Sequence, residues 1–168
     1  MTGNTVDLPQ MLARRETRSQ EQQQFLHAYH SPLISFSMNI PGPVKTNVLI
    51  RKAFTLGKNS LLSQLAHVKA VILDSLETHE DTGDELLLSI GNVSPEVLKD
   101  IAVNIEDSSP AGRLYDIDII DIDGRKLSRP HYRKCLICEK QAQECARSRT
   151  HTVREMQDAV EKLLRKFA

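Results

Sequence analysis

"VKAVILDSLETHEDTGDELLLSIGNV", residues 68–93, decides the fold. Two β-prone runs, 68–78 and 86–93, flank the polar, glycine-containing "HEDTGDE" (79–85), which is the pattern of a hairpin closed by an acidic turn. The period then changes. "SPEVLKDIAVNIE" offers Ser94 as N-cap, Pro95 at the first helical position and the Glu96 carboxylate in the first turn, so a helix follows at once. "SSPAG" breaks that helix, and "GRLYDIDIIDID" (112–123) returns to strand character. Upstream, "LISFSMNI" (33–40) alternates as a strand, "PGPVK" turns, and residues 46–66 space their leucines as a helix. The sequence therefore predicts an α+β fold in the ferredoxin-like β-α-β-β-α-β order, on a mixed or antiparallel sheet of four to five strands. A polymerase-β-like nucleotidyltransferase sheet is the alternative arrangement.

An N-terminal helix over 8–30, with a polar middle "RRETRSQEQQQ", precedes this core. Residues 1–10 read as a flexible lead-in. Beyond Gly124 a basic, irregular stretch leads to a short helix near 139–147 and an amphipathic one over 152–167, its apolar face running from Val153 to Phe167. At 168 residues the chain reads as a single domain, with 125–168 as a basic appendage packed on the core.

Composition excludes several function classes. There is no tryptophan and few aromatics, so stacking platforms for nucleic acid are scarce. No apolar run is long enough to span a bilayer, and no signal-like segment opens the chain. Three cysteines, an odd number, fit a reducing compartment; the expected setting is cytoplasmic, without membrane or nucleic-acid partners. Zero net charge conceals a partition: +4 over 1–76, −11 over 77–123 and +7 over 124–168. An acidic site between basic flanks suits a phosphate-rich ligand held through metal, although clustered surface charge gives the same totals.

The acidic strand carries the sharpest pattern. Side chains alternate, so Asp116 and Asp118 share one face, about 7 Å apart, and both lean toward one cation. Alternation breaks at Ile119–Ile120, which means a bulge or the strand's end, and Asp121 and Asp123 read as turn residues before Gly124. Hard oxygen ligands of this kind suit Mg²⁺ on substrate phosphates. Gly112 and Arg113 stand just ahead of the pair.

Phosphate-side candidates lie elsewhere. "NIPGPVKTNVLIRK" places a glycine turn, Lys45 and Arg51 at a helix start, either an anion site or an ordinary Pro/Gly turn. Arg14 and Arg18 stand one helical turn apart, as phosphate forks or as a solvated face. "ARSRTH" gathers Arg147, Arg149 and His151 for phosphates, with His151 also a candidate base. Cys135-x2-Cys138-x6-Cys145, with His131 before and His151 after, holds enough ligands for zinc, and equally reads as reduced, unligated thiols.

Taken in order, "LARRETR", "NIPGPVK", "GRLYDIDIID" and "CLICEKQAQECARSRTH" resemble the holo-citrate lyase synthase family, also called apo-citrate lyase phosphoribosyl-dephospho-CoA transferase. The resemblance runs from about residue 10 to the C-terminus. It implies transfer of the phosphoribosyl-dephospho-CoA group from 2′-(5″-triphosphoribosyl)-3′-dephospho-CoA to a serine of the apo acyl carrier subunit of citrate lyase, with diphosphate released. By motif, Gly112, Arg113, Asp116 and Asp118 match the acidic signature. Lys45, Arg14, Arg18, Cys135, Cys138, Cys145, Arg147, Arg149 and His151 match the others. A non-enzymatic zinc-dependent binding or assembly module is the alternative function.

Overall fold

The structure, a computed structural model, describes residues 1–167 apart from the Phe167 side chain. Helix α1 (Leu8–Tyr29) starts at a capping box: Asp7 accepts from the Gln10 backbone N–H, and the Gln10 side chain reaches back to Asp7. His30, in the left-handed region at φ 49°, ends it. Strand β1 (Leu33–Met38), helix α2 (Val48–His67), strands β2 (Val71–Glu80) and β3 (Gly83–Gly91), helix α3 (Pro95–Ser108) and strand β4 (Tyr115–Ile120) follow. Asn47 caps α2 through Ile50, and Ser94 caps α3 through Val97. Helices α4 (Ala142–Ser148) and α5 (Val153–Leu164) come next, and a single 3-10 turn over Arg165–Phe167 ends the described chain. None of the described helices is long and apolar enough to cross a membrane.

The hairpin differs from its reading in one consequential way. Only Asp81 and Thr82 form the turn, so Asp84 and Glu85 lie inside β3 and are buried. Strand pairing carries these carboxylates into the fold because each finds a cation there, a circumstance that composition does not reveal.

Four strands pair in the order β2-β3-β1-β4, every neighbour antiparallel. One face is a dry core. Ile34, Phe36, Leu88, Ile90, Ile117 and Ile119 meet Phe54, Leu61 and Leu65 of α2 and Leu98, Ala102 and Ile105 of α3. Phe36 stacks on Phe54 with centroids 4.8 Å apart, and Tyr115 meets Phe36 edge-on while its hydroxyl donates to the Ala53 carbonyl at 3.1 Å. Position 57 is glycine because a Cβ there would lie 2.7 Å from the Phe36 ring and 2.8 Å from Tyr115.

The second face is covered by α1 and divides along its length. At one end Leu33, Leu87 and Ile120 pack beneath Phe25 and Leu26. At the other, Arg14 donates to Glu85 from Nη2 at 2.8 Å and from Nε at 3.1 Å, Arg18 reaches Glu85 at 3.0 Å, and Gln22 donates to Ser35 at 3.1 Å. Burial disfavours a charged guanidinium, but Glu85 and Glu21 outweigh that and hold Arg14 firmly protonated. The alternation of β4 does not break at Ile119–Ile120. Ile119 points to the core and Ile120 to α1, and the strand ends there without a bulge.

Helix α5 seats Val160 and Leu164 against Ile40, Ile50, Ala53 and Leu114. Phe167, expected on the same face, has its side chain outside the described residues. The first residues are tied down too: the Val6 N–H donates to the Pro43 carbonyl at 2.9 Å, and the terminal amine lies 3.4 Å from Glu161.

Removing one partner of the Arg14–Glu85 pair leaves a buried charge. Glu85→Ala should cost about 3 kcal/mol in urea unfolding, and Arg14→Met with Glu85→Leu should recover most of that loss.

Candidate active site

The end of α3 and the entry to β4 build the site. Gly112 donates its N–H to Ser109, to Oγ at 3.1 Å and to the carbonyl at 3.0 Å, and so folds the chain tightly back on the helix. A Cβ at this position would sit 2.4 Å from the Glu106 carbonyl and 2.6 Å from that of Ile105, both rigid backbone. Glu106 then accepts the Ile117 N–H at 2.9 Å, which fastens β4 to α3. Burial pushes the Glu106 carboxyl up, against the opposing pull of that N–H and of Arg133, Arg129 and Lys99.

Two arginines brace this entry against the basic appendage. Arg133 donates to the carbonyls of Tyr115 and Gly112, each at 2.7 Å. Arg113 returns the contact, donating to the carbonyls of Lys134 and Cys135. Between them opens a cavity of about 690 Å³, with Arg113, Arg133, Lys134 and Arg149 on its walls and Leu114, Leu136, Met156 and Val160 among its apolar lining. Cationic walls over an apolar floor suit a ligand with both phosphates and an organic body.

Asp116 and Asp118 project from the same strand onto the α1 side, opposite Ser37 and Ser35 of β1 respectively. They do not line the cavity, but Arg133 and Arg18 both act on Asp116 electrostatically. Asp118 pairs with Lys126 at 2.5 Å. Asp116 forms no ion pair among the described residues. Its side chain keeps an exposed side, yet partial burial, and then the Asp118 carboxylate, raise its pKa above the usual aspartate value. Repelling hard oxygens of this kind fit a divalent cation, which relieves both effects. Asp121 and Asp123 occupy the turn after β4. Their carboxylates accept the Ile122 and Arg125 N–H groups, and Gly124 follows at φ 83°.

The other candidates are dispersed. Arg14 and Arg18 serve Glu85. Arg51 lies 3.2 Å from the buried Asp84, which His79 also contacts at 2.7 Å. Lys45 donates to the Ile40 carbonyl at 2.7 Å, and burial, reinforced by Arg15, lowers its ammonium pKa. Arg147 is exposed, whereas Arg149 and His151 line the cavity. Arg133, Lys134 and Lys126 escaped sequence reasoning because they are ordinary members of a basic run until the fold turns them toward β4.

Cys135, Cys138, Cys145 and His151 converge, their ligand atoms all within 4.8 Å of one another, and Cys135, Cys145 and His151 also line the cavity. Cys138 Sγ lies 3.5 Å from Cys145 Sγ and 3.3 Å from His151 Nε2. Burial opposes ionisation of Cys135, but the Ile137 and Cys138 N–H groups and its sulfur neighbours prevail and bring it down to about 7. Burial, and then the sulfurs of Cys138 and Cys135, push Cys145 up to about 11.

Because the folded protein raises the Asp116 pKa, the ionised carboxylate works against folding. That cost is fully present above the raised folded value and vanishes below the ordinary one. Without divalent cations, Asp116→Asn should therefore raise the thermal midpoint at pH 7, with the gain fading as pH falls through the carboxylate range in a calorimetric series.

The family model described as apo-citrate lyase phosphoribosyl-dephospho-CoA transferase matches residues 6–167. A probable apo-citrate lyase phosphoribosyl-dephospho-CoA transferase of Vibrio cholerae serotype O1 (strain M66-2) is 35% identical, over 98% of this chain and 94% of the relative. The enzyme of that name from Citrobacter koseri is 34% identical, over 97% and 91%. Its counterpart in Escherichia coli O157:H7 is 34% identical, over 96% and 90%. With the match extending over the acidic strand, both arginine braces and the cysteine cluster alike, the chain belongs to the apo-citrate lyase phosphoribosyl-dephospho-CoA transferase family.

Proposed function

We infer that the protein is the transferase its family is named for, attaching phosphoribosyl-dephospho-CoA to apo-citrate lyase. The donor in this reading is 2′-(5″-triphosphoribosyl)-3′-dephospho-CoA, and the acceptor is a serine of the apo acyl carrier subunit. One observation supports the placement above others: residues 112–118 give their first side chains to a basic, apolar-floored cavity and their next exposed ones to a carboxylate pair. The chain order, with every strand pair antiparallel, supports the ferredoxin-like arrangement. Three free thiols support a reducing, cytoplasmic setting.

In the proposed reaction Arg113, Arg133 and Arg149 hold donor phosphates, and the apolar floor receives part of the organic body. Asp116 and Asp118 are the residues that would hold Mg²⁺. When bound, the ion supplies charge neutralisation on the triphosphate. The carrier serine oxygen bonds to the α-phosphorus as the bond to diphosphate breaks, and the serine proton passes to solvent. Arg113 and Arg133, already fixed by backbone carbonyls, need little rearrangement to keep the phosphates in line.

Mixing the protein with apo carrier and donor, then weighing the carrier, tests this directly. Asp116→Ala and Asp118→Ala should each cut transfer at least about a hundredfold while leaving the circular dichroism spectrum unchanged. Asp123→Ala, a change in the turn, should transfer at near the parent rate. A carrier that gains no mass with the parent protein overturns the function; full activity in the Asp116 and Asp118 variants overturns only the site.

A further inference from the structure

The segment between β4 and α4 spans 121–141 with only isolated bridges, yet its residues 133–136 line the cavity. It has little apolar material of its own: Leu127 and Leu136 are only half-buried, and Tyr132 is exposed. Arg129, Arg133 and Lys134 crowd within six residues, and they are held by polar partners rather than by a core: Arg129 by Asp107 at 2.7 Å, Lys134 by Glu139 at 2.5 Å and Arg133 by two backbone carbonyls. A connection this long and poor in core needs another source of order.

We propose that Cys135, Cys138, Cys145 and His151 hold one structural Zn²⁺ ion that fixes the wall of the cavity. The distances suit it. Ligands about 2.3 Å (sulfur) and 2.0 Å (nitrogen) from a tetrahedral zinc stand roughly 3.5–3.8 Å apart. Here Cys138 lies 3.5 Å from Cys145 and 3.3 Å from His151, within a few tenths of that geometry.

Local structure prepares the ligands. The Cys135 N–H donates to the Lys140 carbonyl at 2.7 Å and the Ala142 N–H to that of Arg133 at 2.8 Å, making a small knuckle with Cys135 and Cys138 on it. The Ile137 N–H points at Cys135 Sγ from 3.5 Å, the kind of amide support that orients a metal-bound thiolate. Cys145 comes from α4, and His151 stands immediately before the α5 cap Thr152. One ion would thus join the knuckle, α4 and the start of α5.

Three thiolates and an imidazole are a closed, soft donor set, which selects zinc over magnesium and leaves no position for substrate. Thiol protons pass to solvent as the sulfurs bind. A Cys138–Cys145 disulfide, or a Cys138–His151 nucleophile pair, would each use two of the four groups and leave the convergence of the others without a cause. In the proposed centre His151 Nε2 is a ligand, so His151 is not the catalytic base. The zinc site rests on these four residues alone and does not depend on the transferase reading.

Metal analysis of tag-free, full-length protein purified without chelators tests the site. About one zinc per chain is expected. Chelator-stripped protein should take up Co²⁺ with the strong visible bands of a tetrahedral ion and thiolate charge-transfer absorption. Cys138→Ser and Cys145→Ser should each lower zinc affinity at least about tenfold. His131→Ala, at an exposed histidine outside the cluster, should leave zinc content unchanged. Trypsin should cut stripped protein within 125–154 well before it cuts 8–120, and added zinc should restore protection. Wild-type protein without zinc that gives no cobalt–thiolate spectrum overturns the site, as does an intact mass two hydrogens light from a Cys138–Cys145 disulfide. Equal trypsin resistance with and without zinc overturns the structural role.

Discussion

Glu85 is a buried carboxylate in the middle of a sheet, and the placement of α1 follows from that fact. A charge so placed is tolerable only with cations and hydrogen bonds supplied to it. Arg14 and Arg18 supply both, one turn apart on the same helix. Gln22 continues the row with its bond to Ser35, and Phe25 and Leu26 then pack on Leu33, Leu87 and Ile120. Tyr29 ends it by donating to Asp74 at 2.5 Å. These positions recur every three or four residues, so they form one face of the helix. That face docks by charge at one end and by apolar burial at the other.

This division decides which carboxylates are available for chemistry. Residues 77–123 carry thirteen acidic groups, but the fold uses several of them internally. Asp84 answers Arg51 and His79, Glu85 answers α1, and Glu106 ties β4 to α3. Asp116 and Asp118 are different because β4 is an edge strand and α1 makes its side-chain hydrogen bonds to β2, β3 and β1. The pair stays accessible, crowded enough to repel and short of cations: only Lys126 is directly engaged, and by Asp118 alone. An acidic block by itself thus says little; accessibility after ion pairing separates Asp116 and Asp118 from the rest.

Much of the architecture was legible because its signals are local. The cap at Ser94, the period change between hairpin and α3, and the parity of Asp116 and Asp118 each involve residues within a few positions of one another. What escaped reading depends on distant partners. The middle of α1 reads as a solvated surface because nothing near Arg14 in sequence announces Glu85, 71 positions away. The doublet Ile119–Ile120 looks like a broken alternation only if the second sheet face is taken as wet; α1 makes both faces dry at that end. Arg133 is indistinguishable from its basic neighbours until its two bonds to the β4 entry are seen.

The cavity and the carboxylates are coupled through backbone. Arg133 holds the carbonyls of Gly112 and Tyr115, the residues flanking Arg113 and Leu114, while Asp116 begins immediately beyond. The tight reversal at Gly112, where no Cβ fits, fixes where this stretch leaves α3. Any shift of the appendage that moved Arg133 would therefore also move the strand carrying Asp116. Arg113 runs the constraint the other way, since its guanidinium is anchored on the carbonyls of Lys134 and Cys135. Cys135 belongs to the knuckle, so the order of the cysteine–histidine centre reaches the acidic strand through two arginines and four backbone carbonyls. Binding-wall and carboxylate geometry are consequently set together, by a stretch of seven residues whose two halves face different parts of the molecule.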